Sequence, residues 1–278
     1  MTDSGKLLRL NRILNPQTQK GVMVAYDHGL MLGPIPGLGP TRERLRQFVD
    51  GGADAILMPP GTLRASADFL AGTRVGVIVR LDWTNMWRAS ELLGFQEGRT
   101  CPIAAVEEAI RWGADAVLTY LFVGLNDAAA EAEEVRRNAE VNRACERFGM
   151  VHIIESMARG ARVGSPNRKE FVALHTRLAG ELGADLIKTD FLETEEETAA
   201  VVSASLVPIL LAGGLKMDDT RALEVIERSV RAGAAGIIFG RNVFQAQDPA
   251  AFLRAARQAV HGSEAEDLRV GTIAAARR

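Results

Sequence analysis

The chain has 278 residues, 47% of them hydrophobic and 24% charged, with a formal net charge of -2. This composition is that of a soluble globular protein, and so small a charge excludes a general electrostatic attraction to nucleic acid or to an anionic membrane surface. The polar N-terminus, the lack of an apolar run of membrane-spanning length and the presence of only two cysteines predict a cytoplasmic protein without a disulfide framework.

The predicted elements begin with an amphipathic helix over residues 4–15, and a strict alternation of apolar strands and helices follows. Eight strands are predicted, at residues 21–26, 53–58, 75–81, 114–120, 150–155, 184–190, 208–212 and 235–239. Helices are predicted at residues 41–50, 103–112, 127–148, 167–182, 195–204, 220–232 and 249–260, and a polar tail at 262–278. A Gly/Pro-rich loop is predicted after the first strand, with Thr41 as the cap of the helix behind it.

A short phrase recurs where predicted helices lead into strands: Gly52-Ala53-Asp54, Gly113-Ala114-Asp115 and Gly183-Ala184-Asp185. Each glycine stands where a helix C-cap belongs, which indicates an internal β/α repeat. Eight buried strands separated by helices predict a single domain over residues 1–278, folded as a (β/α)8 TIM barrel. A doubly wound open sheet is the alternative, but it usually carries Gly-x-Gly-x-x-Gly at its first β/α turn, and this chain has no such motif there.

One lysine lies near the end of an apolar strand. Because side chains alternate along a strand, Leu186, Lys188 and Asp190 share one face, which points into the barrel mouth if this face is the inner one. Burial disfavours the charged ammonium and favours the neutral amine that attacks carbonyl groups, so Lys188 is predicted to be a Schiff-base nucleophile. The alternative is a lysine paired with a carboxylate of its own segment, namely Asp185, Asp190 or Glu193.

Asp27 ends the first predicted strand, on the same face as Met23 and Ala25. It can therefore reach the cavity that holds Lys188, and a carboxylate near an iminium can move the hydroxyl proton in an aldol cleavage. The alternative role is that of a loop or helix cap. His28 beside it is predicted to be a loop histidine bonded to the backbone.

Two glycine-containing turns with neighbouring cations follow the last two strands: Gly213-Gly214 with Lys216, and Gly240 with Arg241. Free backbone N–H groups and a cation together make a phosphate site, and (β/α)8 barrels often hold phosphate at these loops. Tight turns alone are the alternative explanation.

The remaining polar residues suggest no further chemistry. Arg80 and Arg159 end predicted strands, and they are expected to form ion pairs that could also meet the substrate. His152 and Glu155 are expected on opposite faces of their strand, and none of the four histidines belongs to a metal-ligand motif. No metal and no cofactor are therefore predicted.

Several motifs occur in one order along most of the chain: Asp27-His28-Gly29, Gly33-Pro34-Ile35-Pro36-Gly37, Ile187-Lys188-Thr189, Ala212-Gly213-Gly214-Leu215-Lys216 and Gly240-Arg241-Asn242-Val243-Phe244-Gln245. Together they resemble the archaeal-type class I fructose-bisphosphate aldolase family, which also contains aminodideoxyheptulosonate synthase and autoinducer-2 phosphate thiolase. The resemblance implies a (β/α)8 barrel with Lys188 as the Schiff-base lysine, Asp27 as an acid/base group and the two late loops as the phosphate site. It also implies a homo-oligomer built from rings, with a decamer as one candidate size.

One departure from the family pattern bears on the substrate. The aldolases of the family usually have Tyr-Pro-Arg-Gly after the fifth strand, whereas this chain has Met157-Ala158-Arg159-Gly160. The tyrosine is a proton-transfer residue, and methionine has no proton to transfer. Glu155 or Tyr120 could supply the missing group, and the thiolase branch of the family also lacks the tyrosine.

The sequence as a whole therefore predicts a cytoplasmic class I aldolase that cleaves or forms a carbon–carbon bond in a phosphorylated keto-sugar. Two alternatives are thiolase-type acyl transfer from a phosphorylated diketone to coenzyme A, and a non-catalytic barrel that binds sugar phosphates. Pure binding needs no neutral amine, so Lys188 and Asp27 favour the enzymes over the binding protein.

Overall fold

The computed structural model describes residues 4–88, 93–95, 97–164 and 168–262. Ten strands lie in these residues, in the following order along the chain: β1 (Gly21–Ala25), β2 (Ala55–Met58), β3 (Gly76–Arg80), β4 (Asp82–Thr84), β5 (Thr100–Pro102), β6 (Ala116–Val123), β7 (Val151–Ala158), β8 (Leu186–Asp190), β9 (Ile209–Ala212) and β10 (Gly236–Phe239). Eight of them close into a parallel barrel in the order β1-β10-β9-β8-β7-β6-β3-β2. This confirms the predicted (β/α)8 fold.

The helices surround the barrel. In chain order they are α1 (Ser4–Ile13), α2 (His28–Leu32), α3 (Thr41–Asp50), α4 (Pro60–Leu70), α5 (Val106–Arg111), α6 (Ala128–Phe148), α7 (Arg168–Glu181), α8 (Glu195–Ala204), α9 (Asp219–Arg231), α10 (Arg241–Phe244) and α11 (Pro249–His261). In the described part of the chain, no helix is both long enough and apolar enough to cross a membrane. The predicted polar tail lies outside the described residues, except for residue 262.

Four features differ from the sequence prediction. Helix α2 lies just ahead of the predicted Gly/Pro-rich loop of residues 33–40, where no helix was predicted. Helix α4 begins at Pro60, because proline is favourable in the first turn of a helix although it ends one elsewhere. Strands β4 and β5 pair as an antiparallel ribbon that was not predicted, and the helix predicted from residue 103 begins only at Val106. Thr41 is the first residue of α3, and Pro40 is the N-cap without a side-chain hydrogen bond, so the predicted threonine cap was wrong.

The barrel interior changes character along its axis. Toward the N-terminal ends of the strands it is filled by apolar side chains that alternate along each strand, among them Met23, Leu57, Ile153 and Leu186. Toward the C-terminal ends the inward positions are polar and buried. Charged groups are seldom buried without partners, so these polar positions point to a functional site.

The repeated Gly-Ala-Asp phrase has a structural role at the N-terminal end of the barrel. Its glycines all have positive φ: Gly52 (78°), Gly113 (78°) and Gly183 (91°). Each aspartate accepts a hydrogen bond from the preceding barrel strand: Val22 N–H to Asp54 (2.8 Å), Val77 N–H to Asp115 (2.9 Å) and His152 N–H to Asp185 (2.8 Å). In each repeat the glycine therefore ends a helix, and the aspartate two residues later accepts a hydrogen bond from the neighbouring strand.

Basic side chains cover the other side of these aspartates. From α1, Arg12 pairs with Asp115 at 3.3 Å and Lys6 pairs with Asp185 at 3.0 Å. From α11, the Nη1 atom of Arg257 and the Nε2 atom of His261 each lie 2.9 Å from Asp54. Helices α1 and α11 are thereby held to the N-terminal end of the barrel.

Candidate active site

A cavity of about 350 Å³ opens at the C-terminal ends of the strands. The sequence-predicted residues that line it are Asp27, Tyr120, Glu155, Lys188, Gly213, Gly214, Gly240 and Arg241. They come from β6, β7, β8 and the segments just behind β1, β9 and β10, because the carboxyl ends of parallel strands meet at one mouth of the barrel.

Lys188 is buried in this cavity and paired with one carboxylate. Its Nζ atom lies 2.6 Å from Glu155 Oε1, and both side chains are at most 7% exposed. The pairing follows from the strand register, which places Glu155 of β7 directly beside Lys188 of β8. The partner is therefore a residue of the neighbouring strand, and not Asp185, Asp190 or Glu193.

Arg80 joins the remaining carboxylates to this pair. Its Nη2 atom donates to Glu155 Oε2 and, at 2.7 Å, to Asp27 Oδ2, while its Nε atom donates to the same Asp27 oxygen at 2.9 Å. The guanidinium is fully buried, at 0% exposure. One cation thus fixes Asp27 and Glu155 on either side of itself, and Glu155 in turn contacts Lys188.

Asp27 remains a carboxylate in this environment. Burial by itself would raise the pKa of Asp27, but Arg80, His28 and Lys188 outweigh it and hold this pKa well below its usual range. His28 begins helix α2 and does not lie in a loop; its Nδ1 atom is 3.5 Å from Asp27 Oδ1. Both hydrogen bonds from Arg80 go to Oδ2, so Oδ1 retains acceptor capacity for another partner.

Tyr120 also lines the cavity, under the guanidinium of Arg80, whose Cζ lies 3.8 Å from the ring centroid. Burial raises the pKa of Tyr120 well above its ordinary value, and the nearby carboxylates add to the effect although Arg80 opposes it. Tyr120 is therefore a neutral phenol. Its ring stacks on Phe122 at 5.0 Å, and Trp87 packs against both rings.

The ionic network continues outward through the barrel wall. Asp82 lies 3.5 Å from Arg80, accepts the backbone N–H of Tyr120 at 2.8 Å and pairs with Arg137 of α6. Arg137 in turn donates to Glu134 at 2.7 Å and to the Tyr120 carbonyl at 2.8 Å. Every one of these side chains is at least nine-tenths buried, so the network fixes Arg80 and Tyr120 rigidly.

The glycine loops behind β9 and β10 form another wall of the cavity. Arg241 Nη2 donates to the Gly214 carbonyl at 3.0 Å, and its buried Nε atom has no hydrogen-bond partner among the described residues. Asn242 holds the loop shape: its side chain bonds the carbonyls of Gly213 and Leu215, at 2.7 and 3.1 Å, and the N–H of Met217 at 2.9 Å. A Cβ atom on Gly213 would lie 2.8 Å from Phe239, so this position requires glycine.

Lys216 lies apart from the other predicted phosphate ligands. It lines a separate depression beside the loop, where its amine pairs with Asp219 one helical turn away. Its charge is therefore already compensated outside the cavity that contains Lys188.

Arg159 and Asp190 form an ion pair at the rim, with 2.9 Å between Nη1 and Oδ2. Arg168 also contacts Asp190, at 3.0 Å, and Arg159 lies over the ring of Trp87 at 5.0 Å. The expected ion pairs of Arg80 and Arg159 are thus both present. The sequence did not predict the central position of Arg80 or the hydrogen bonds by which Asn242 holds the loop behind β9, because the partners of both residues are far away in the chain.

Among the described residues, no group of three or more histidine, cysteine or carboxylate side chains could hold a metal ion. The chemistry visible in this part of the chain is that of an amine, two carboxylates, a phenol and several arginine N–H donors.

The chain is similar to several known proteins. A model of the DeoC/LacD family aldolases matches residues 21–246. The 2-amino-3,7-dideoxy-D-threo-hept-6-ulosonate synthase of Halobacterium salinarum is 34% identical, over 98% of this chain and 99% of that protein. The 3-hydroxy-5-phosphonooxypentane-2,4-dione thiolase of Klebsiella pneumoniae is 32% identical, over 93% of this chain and 82% of that protein.

A solved archaeal fructose-1,6-bisphosphate aldolase, whose catalytic lysine is covalently bound to the carbinolamine intermediate of the substrate, is similar as well. The TM-score is 0.80 with 29% sequence identity, over 92% of this chain and 99% of that one.

Proposed function

The chain belongs to the DeoC/LacD family of aldolases, and from this premise we propose that it is a class I aldolase that makes or breaks a carbon–carbon bond in a phosphorylated ketose. The observation that carries the proposal is the buried amine of Lys188, 2.6 Å from Glu155 and joined through Arg80 to Asp27. The covalent lysine of the similar archaeal aldolase supports it.

The first step is formation of the iminium. Lys188 must lose a proton before it attacks the ketone carbon, and Glu155, already hydrogen-bonded to the amine, is positioned to accept it. Attack forms the carbon–nitrogen bond of a carbinolamine. Glu155 then returns the proton to the departing hydroxyl, so that water leaves and the iminium remains.

The second step is cleavage of the carbon–carbon bond. Asp27, ionised and fixed by Arg80, takes the proton of the substrate hydroxyl. The electron pair of the breaking bond moves into the iminium and gives an enamine, while the hydroxyl carbon leaves as an aldehyde. Protonation of the enamine carbon and addition of water then release the ketone phosphate and restore Lys188.

The phosphate of the ketone is proposed to bind at the glycine loops. Gly213, Gly214 and Gly240 allow an anion to approach the backbone closely, and the unpartnered Nε atom of Arg241 offers a charged donor. Lys216 is left out of this proposal because its amine is paired with Asp219.

A second candidate is acyl transfer from a phosphorylated diketone to coenzyme A. Two observations favour it: Met157 lines the cavity at the position where the aldolases have tyrosine, and a thiolase is among the similar proteins. A thiol acceptor attacks the carbonyl carbon itself, so this reaction does not need the proton-transfer tyrosine.

Borohydride trapping tests the proposal. Dihydroxyacetone phosphate should give a stable adduct on the peptide that contains Lys188, detected by mass analysis. Lys188→Met should abolish the adduct, whereas Lys216→Met, which removes an amine just outside the cavity, should retain it. A folded wild-type protein that gives no adduct would contradict the aldolase and support a barrel that only binds. Release of an acyl thioester from a phosphorylated diketone and coenzyme A would favour the second candidate.

The cytoplasmic location and the ring-based homo-oligomer stay predictions. Sedimentation of the purified protein would measure the second of these directly.

A further inference from the structure

The cavity has two chemically different sides. The glycine loops and Arg241 lie behind β9 and β10, while Tyr120 belongs to β6, which is opposite β10 in the barrel. On this second side Met157, Met31 and Trp87 pack together around the aromatic rings, and we call these three residues the apolar wall. Met31 and Met157 are 4% and 3% exposed.

The apolar wall offers dispersion contacts and almost no hydrogen bonds. Thioether and indole side chains stabilise alkyl groups placed against them, because the contact removes apolar surface from water. A hydroxylated or charged group placed there would lose its water and gain no partner in exchange. The wall therefore selects against a polar chain on the aldehyde half of the substrate.

Charge at the rim acts in the same direction. Arg159 lines the cavity beside the apolar wall, over Trp87 at 5.0 Å, but its guanidinium is held by Asp190 at 2.9 Å. Burial would raise the pKa of Asp190, yet Arg159 and Arg168 hold it below its usual value, so Asp190 keeps its negative charge. A second phosphate here would have to compete with Asp190, which already holds the guanidinium groups of both Arg159 and Arg168.

We propose that the site takes a substrate with a single phosphate and an uncharged, apolar aldehyde half, selected by Met157, Trp87 and the Arg159–Asp190 pair. This proposal rests on the aldolase function above. It names the acceptor class that the aldolase function leaves open, and it argues against bisphosphates as good substrates.

Aldol addition tests the acceptor directly. With dihydroxyacetone phosphate as donor, kcat/KM for butanal should exceed that for glyceraldehyde 3-phosphate by at least about tenfold. Asp190→Asn should shrink this ratio, because Arg159 becomes available to the anion. Asp68→Asn is the matched control. It removes an exposed carboxylate of α4 that pairs with Arg42 at 2.7 Å, and it should leave the ratio unchanged. A wild-type preference for glyceraldehyde 3-phosphate would overturn the proposal while leaving the aldolase function intact.

A binding arm separates the two proposals. In Lys188→Met no Schiff base forms, and calorimetry there should show that fructose 1-phosphate binds at least as tightly as fructose 1,6-bisphosphate. Asp190→Asn added to this variant should strengthen the binding of the bisphosphate. Bisphosphate binding about tenfold tighter than that of the monophosphate would overturn the inference, whatever the outcome of borohydride trapping.

Discussion

At the N-terminal end of the barrel, Asp115 and Asp185 accept backbone N–H groups and pair with cations of α1, whereas at the C-terminal end Asp27 and Glu155 share the buried Arg80. Burial raises the pKa of Asp115 and of Asp185, but the charge of Arg80 lowers that of Asp27. The first two carboxylates complete the hydrogen bonding of strands and helices. At the other end Asp27 stays ionised beside a cavity, and this difference separates the structural from the chemical use of the same side chain.

The largest effect is expected from Arg80→Met. The substitution leaves Asp27, Asp82 and Glu155 buried without their common cation, and breaking a buried pair in this way costs about 3–5 kcal/mol. Chemical denaturation should show this loss at neutral pH, and the stability should partly recover as the pH falls and the carboxylates take up protons. The Arg80→Lys variant keeps the positive charge but loses the guanidinium that contacts Asp27 on one side and Glu155 on the other. An unfolding free energy close to that of the wild type in Arg80→Met would show that the network is not a structural unit.

Replacing an aspartate by asparagine at each end of the barrel compares the two ends directly. Asp27→Asn should lower kcat by about 10²–10⁴-fold because the amide cannot take the hydroxyl proton. Asp54→Asn should leave kcat nearly unchanged but lower the unfolding free energy by about 1–3 kcal/mol, since its carboxylate bonds Val22, Arg257 and His261. Steady-state kinetics and denaturation of the two variants side by side measure the contrast. A loss of kcat in Asp54→Asn equal to that in Asp27→Asn would remove the distinction between the ends.

The smallest effect, on the pH dependence of stability, is expected from Asp115→Asn. A carboxyl whose pKa is higher in the folded than in the unfolded protein binds protons more tightly when folded, so its contribution to stability rises as the pH falls through the folded pKa. Asp115→Asn should remove this gain, and denaturation curves between pH 7 and about pH 4 should differ by less than about 1 kcal/mol. A wild-type gain that persists in full in Asp115→Asn would assign the pH dependence to another group.

The sequence contained most of the fold and part of the site. Period-two alternation within one strand was enough to place Lys188 and Asp27 on inward faces, and the Gly-Ala-Asp repeat indicated the barrel. The pairing of Lys188 with Glu155 depends on the register between β7 and β8, which no single strand encodes. Arg80 likewise joins residues of β1, β4 and β7, so its role appears only after the barrel has closed.

The contact of β1 with β10 has a consequence for biosynthesis. At this seam Gly21 pairs with Gly236, and a Cβ atom on Gly236 would lie only 2.0 Å from the Gly21 carbonyl oxygen, so the first and last strands meet through bare backbone. On the ribosome β1 is made first and must wait for β10. Until β10 emerges, that edge of β1 is an open edge strand, the kind that pairs wrongly with other chains. The nascent barrel therefore exposes an open strand edge that the finished protein no longer has.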